Sequence, residues 1–152
     1  MKAWVVVLLV FLLLLQSSSV NNRNKILNDG TVIEVLSVYE VAELITGAPA
    51  NILKAIAITE SNENDGAVGD DGTSRGRMQL NELYHDERVM KYGEYDPHNS
   101  LDSVIIAGFL FMDNLNRLGD VDKAIAAHRQ GVSGVKEHGD TEWYVKRVKS
   151  NL

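Results

Sequence analysis

The chain has no cysteine. No disulfide framework is available to it, and no lipid can be attached to a cysteine after its N-terminal apolar run. It lacks a cationic balance as well: 21 acidic side chains against 15 Lys and Arg leave a formal charge of −6. That argues against nucleic acid as a partner, since phosphates call for a basic surface. Bulk attraction to an anionic polymer is excluded for the same reason. Long apolar runs are scarce. Residues 3–15 are unbroken but number thirteen, short of the roughly 20 needed to span a bilayer. The second run, Val104-Ile105-Ile106-Ala107-Gly108-Phe109-Leu110-Phe111-Met112, is about half the roughly 18 that would mark a spanning helix. No stretch shows the alternation of a half-buried strand, and no internal repeat is present.

What is there begins with an export signal over residues 1–20. Lys2 supplies a basic start, the apolar run follows, and Gln16-Ser17-Ser18-Ser19 forms a cleavage region. An uncleaved anchor is the alternative. Residues 21–30 read as a polar lead-in, and residues 31–152 as one domain long enough to bury a core without staples. Helical patterns dominate it. Residues 31–46 carry Val32, Val35, Leu36, Tyr39, Ala42 and Ile45 at three and four spacing, with Tyr39 packing its ring and sending its hydroxyl to water. A second helix spans residues 51–61 behind Pro49. The run at 104–112 is apolar on nearly every side and reads as the buried central helix, capped by Ser100 or Asp102. Asp120 caps a helix that Gly131 ends, and Asp140 caps a last one through Trp143, Tyr144, Val145 and Val148. The expected fold is all-α and compact, with a long irregular acidic loop after the second helix.

One carboxyl group stands out. Glu60 closes the second helix, with Leu53, Ile56 and Ala57 seven, four and three residues before it. That spacing puts it on the apolar face. An acid in an apolar wall, at the negative end of a helix dipole, favours its protonated form, and a proton-holding carboxyl is what glycosidic cleavage needs as a donor. The loop that follows is rich in Gly, Asn and Asp. Read as a calcium loop it fails: with Gly66 as the turn glycine, the first ligand position falls on Ser61 and the twelfth on Gly72, without a closing Glu. No metal site is expected.

Four pieces line up along the chain: Ala57-Ile58-Thr59-Glu60-Ser61; Gly76-Arg77-Met78-Gln79-Leu80; Asp96-Pro97-His98-Asn99; and Ala126-Ala127-His128-Arg129-Gln130-Gly131, with Tyr144 near the end. Their order and spacing over residues 48–149 resemble the soluble lytic transglycosylase domain, a lysozyme-like fold related to goose-type lysozyme. The resemblance implies a peptidoglycan-cleaving enzyme without a cofactor, exported to the periplasm or cell envelope. It implies that Glu60 is the single catalytic acid/base and that Ser61, Met78, Gln79, His128 and Tyr144 bind or frame the substrate. The sequence departs from the family pattern at three places. His128 stands where the family has Tyr, Arg129 where it has Asn, and Arg77 where it has Leu. A neutral His128 is expected to donate to Glu60 in place of the tyrosine hydroxyl, and Arg77 is expected to be solvated. The alternatives are a lysozyme-type hydrolase, with Glu63, Asp65, Asp70 or Asp71 activating water, and a wall-binding module of weakened activity.

Overall fold

The computed structural model describes residues 24–26, 29, 31–139 and 141–152. The segment read as an export signal lies outside the described residues, as does Asp140. The chain divides into two compact units, Met1–Ser37 and Val38–Leu152. In the first, β1 (Asn24–Ile26) pairs antiparallel with β2 (Val32–Glu34), Lys25 opposite Ile33. Here the expected helix over 31–46 is corrected: its first seven residues are strand and loop. Val32 and Ile33 are β-branched and follow the turn-type sequence Asn28-Asp29-Gly30, so local propensity overrides a helical spacing of apolar residues.

The second unit holds six helices: α1 (Val38–Thr46), α2 (Ala50–Ser61), α3 (His85–Tyr92), α4 (Ser100–Leu118), α5 (Val121–His138) and α6 (Glu142–Lys149). Between α2 and α3 lies a small sheet in which β4 (Ser74–Arg75) pairs antiparallel with β3 (Val68–Gly69) and β5 (Leu80–Asn81). These strands were not expected; two residues are too few to show a period of two. The domain is all-α apart from them. Among the described residues no helix is long and apolar enough to cross a membrane.

The apolar run at 104–112 is the centre of the fold. α4 packs most extensively on α1 and α5 and also meets α2 and α3. It buries Val104, Ile106, Ala107 and Phe111, each large side chain contributing roughly 1.5–3 kcal/mol by leaving water. Gly108 lets α1 cross closely, because a Cβ there would lie 2.6 Å from the Thr46 hydroxyl. The cap of α4 is Asn99, whose side chain accepts from the amides of Leu101 and Asp102 at 3.0 and 3.1 Å. Asp102, one of the expected caps, instead accepts from the Asp96 amide.

Asp120 caps α5 as expected, accepting from the Lys123 amide at 2.9 Å. At Gly131 the regular helix stops, as expected, with non-helical backbone at φ 71 and ψ 167, and a second helical segment follows directly across this kink. Beyond the kink Val132 and Val135 are buried in the core, which sustains a second helical segment. Gln130 clasps the turn into α6: its amide donates to the Gly139 carbonyl at 2.7 Å and accepts from the Thr141 hydroxyl at 2.8 Å. At the far end of α6, Asn151 donates to the Thr59 hydroxyl at 3.0 Å. α6 is thereby fastened to α5 at its start and to α2 at its end.

Candidate active site

Glu60 sits in the last turn of α2, half-buried, with Leu53, Ile56 and Ala57 buried on the same helix. The chain leaves the helix abruptly. Asn62 and Glu63 both adopt left-handed backbone, at φ 56 and 61, and their amides return to the carbonyls of Ile58 and Ala57 at 3.0 and 3.2 Å. Ser61 then ties the two ends of the loop: its hydroxyl donates to the Arg77 carbonyl at 2.9 Å and accepts from the Asn64 amide at 3.0 Å.

The partner of Glu60 is Tyr144, whose hydroxyl donates a hydrogen bond to Oε1. The Tyr144 ring comes from α6, where Val145 and Val148 are also buried, and is itself only 1% exposed. Burial first, then the charge of Glu60 and the hydrogen bond to it, hold the phenol well above its ordinary pKa, against the opposing pull of Arg129 and Arg147. The phenol is therefore a permanent donor at any working pH.

His128 lies elsewhere in the hydrogen-bond pattern. Its Nε2 is 2.9 Å from the Met78 carbonyl, so Nε2 carries a proton and donates to the backbone. The donor role toward Glu60 foreseen for His128 belongs to Tyr144. Met78 is fully buried in the core. Its contact with the site runs through its carbonyl, which lets α5 hold the turn that precedes Gln79. That turn is tight. Gln79 has φ 46, its amide side chain donates to the Gly76 carbonyl at 2.8 Å, and its oxygen would lie 2.3 Å from a Cβ at Gly69. Gly76 abuts the Pro97 carbonyl, which a Cβ would approach to 1.7 Å. His98 reaches the Asp65 carbonyl through Nδ1 at 2.8 Å. The Asp96-Pro97-His98-Asn99 segment thus buttresses the loop and caps α4 at once.

Arg77 is not solvated. Its side chain is 13% exposed. Nε and Nη2 grip the two Asp65 oxygens at 2.5 and 2.9 Å, and Nη1 donates to the Tyr39 hydroxyl at 3.1 Å. That hydroxyl in turn donates to Glu63 at 2.6 Å. The expectation that the Tyr39 hydroxyl meets water is corrected with it: the residue is 5% exposed and its oxygen is bonded on both sides. Glu63 and Asp65 are thereby committed to the loop's own anchorage, and Asp70 accepts from the Ser74 hydroxyl at 2.7 Å. No local pattern reveals this cluster, because Tyr39 and Arg77 stand 38 residues apart.

Arg129 and Trp143 complete the surroundings. The guanidinium carbon lies 4.8 Å from the Trp143 ring centroid and 6.0 Å from that of Tyr144. The two rings meet edge to face.

One half-buried carboxyl group, a buried phenol donating to one of its oxygens, and a turn pinned from three sides can carry a proton back and forth without a second acid. Compared with curated proteins, the chain finds no match. The family model of the transglycosylase SLT domain matches residues 37–147, well over half of the chain, and the chain belongs to that family.

Proposed function

We propose that the protein is a peptidoglycan lytic transglycosylase, exported to the cell envelope, that cleaves the β-1,4 bond between N-acetylmuramic acid and N-acetylglucosamine. Glu60 first gives its proton to the glycosidic oxygen, and the bond to the muramic anomeric carbon breaks. Glu60, now ionised, takes the proton of the muramic C6 hydroxyl, and that oxygen closes onto the anomeric carbon as a 1,6-anhydro ring. One carboxyl group serves as acid and then as base. The observation that carries this reading is the Tyr144 hydroxyl on Oε1 of Glu60. It leaves Oε2 for the substrate and steadies the charge that exists between the two proton transfers. Ser61, His128 and the Met78 carbonyl hold the loop and turn in register, and Gln79 is the turn residue proposed to meet polar groups of the sugar.

The anhydro route is favoured over hydrolysis by the engagement of three of the four candidate second acids, Glu63, Asp65 and Asp70, within the loop. That leaves the exposed Asp71 as the one to test for the free second carboxylate that two-carboxylate hydrolysis needs. Digestion of purified peptidoglycan by wild type and Glu60→Gln, read by mass spectrometry, tests the proposal. Wild type is expected to release anhydro products, one water lighter than hydrolytic ones, and the variant none. Equal clearance by the variant, or hydrolytic products from wild type, would sink it.

A further inference from the structure

We infer that Arg129 and Trp143 form a docking point for a carboxylate of the substrate strand, next to the bond that Glu60 acts on. The inference deepens the proposed function and rests on it for the identity of the strand. Arg129 is exposed on α5. Among the described residues its guanidinium has no carboxylate partner; what it touches are rings, Trp143 at 4.8 Å and Tyr144 at 6.0 Å. A cation lodged against an indole loses freedom of orientation while keeping its N–H edge for a ligand. Trp143 is 54% exposed, so this pairing lies at the surface and not in the core. The Tyr144 ring bridges the rest of the distance, because its hydroxyl donates to Glu60. A ligand held at Arg129 is therefore separated from the reacting carboxyl group by a single phenol ring.

The chemistry selects the ligand class. A guanidinium edge grips a carboxylate with two parallel hydrogen bonds. A chain with a charge of −6 repels an acidic strand at long range, so a local cation beside the reacting group decides where such a strand docks. On α6, Lys146 pairs with Glu142 at 2.6 Å and Lys149 with Asp122 at 2.6 Å, which leaves Arg147 as the second cation whose charge reaches the Tyr144 phenol beside that of Arg129. Two sources on the strand carry carboxylates: the lactyl group of muramic acid when no peptide is attached, and the peptide stem when it is.

The test uses three strands of equal length: peptide-free strands with free lactyl carboxylates, the same strands with those groups converted to neutral methylamides, and peptide-bearing strands. Affinity is measured on the full chain carrying Glu60→Gln, so that binding is read without turnover, alone and combined with Arg129→Gln or Arg129→Lys. A carboxylate-bearing strand is expected to bind about tenfold tighter than the methylamide, as a charged hydrogen-bond pair dictates. Arg129→Gln should bring that ratio to about one, and Arg129→Lys should keep part of it. Whichever carboxylate strand shows the larger ratio identifies the source. A ratio near one in the Arg129-bearing chain, or a ratio that Arg129→Gln leaves intact, overturns the inference. Because the ratio is a binding quantity, it stands or falls separately from whether wild type cleaves the strand.

Discussion

The Tyr144 hydroxyl donates to Glu60 across 84 residues of sequence, from the first turn of α6 to the last turn of α2. Two helix ends are held together there by one hydrogen bond, with Asn151 on Thr59 as a second fastening. If this contact orients and steadies the Glu60 carboxylate, Tyr144→Phe removes it with almost no change of shape. A hydrogen bond to a charged group is worth about 1.5–3 kcal/mol, so kcat should fall roughly 10- to 100-fold with KM little changed. Steady-state kinetics on purified peptidoglycan measures it, and a variant of undiminished kcat would remove Tyr144 from the mechanism.

The same phenol makes stability depend on alkaline pH. Burial, then Glu60, raise the Tyr144 pKa; burial, then the hydrogen bond to Glu63, raise that of Tyr39. For groups whose folded pKa is raised, the stabilisation is complete below the unfolded value of about 10 and is lost as pH climbs beyond it. There the unfolded chain releases protons that the folded one retains. Urea midpoints should therefore begin to drop at about pH 10 and keep falling as pH rises further. Tyr144→Phe should drop less steeply over that range than wild type.

Arg77→Leu breaks the grip on Asp65. Asp65 is more than a third exposed, so the coupling between the two is expected at about 1–2 kcal/mol, below that of a fully buried pair. A double-mutant cycle with Asp65→Asn, followed by chemical denaturation, gives the value. Hydrogen exchange over residues 62–77 should accelerate in the single variant, because Tyr39 and Glu63 lose the same anchor. A coupling near zero would mean the loop does not depend on the Arg77–Asp65 pair.

Gly76 and Gly119 share a left-handed backbone, at φ 70 and 69, but not their surroundings. A Cβ at Gly76 collides with the Pro97 carbonyl, whereas one at Gly119 meets nothing within 4 Å. Gly119→Ala should cost only the backbone strain, about 1–2 kcal/mol. Gly76→Ala adds the collision and should cost about 3–5 kcal/mol. Thermal unfolding of the two variants compares them directly, and equal losses would contradict the close approach of Pro97.

Helices with long periodic patterns were legible in the chain. The run at 104–112 could only be a buried core element, and Glu60 followed Leu53, Ile56 and Ala57 at a spacing that bound it to their face. Asp120 announced its helix because capping is local chemistry between a side chain and an amide three residues on. Where elements were short or the signal was shared, local reading failed. The two-residue strands carry no period, Asn99 competed with Ser100 and Asp102 for one cap, and the second helical segment beyond the stop at Gly131, held by buried Val132 and Val135, was not foreseen.

Sequence alone therefore determined the helical class, the central helix and the placement of a carboxyl group at the end of α2, since each follows from contacts within a few residues. Only the tertiary structure decided which groups meet. It gave Glu60 to Tyr144 and His128 to the Met78 carbonyl, and it took Arg77 out of solvent to Asp65 and Tyr39. The reason is distance along the chain. Side chains dozens of residues apart leave no mark on local spacing, and packing alone determines which donor faces which acceptor.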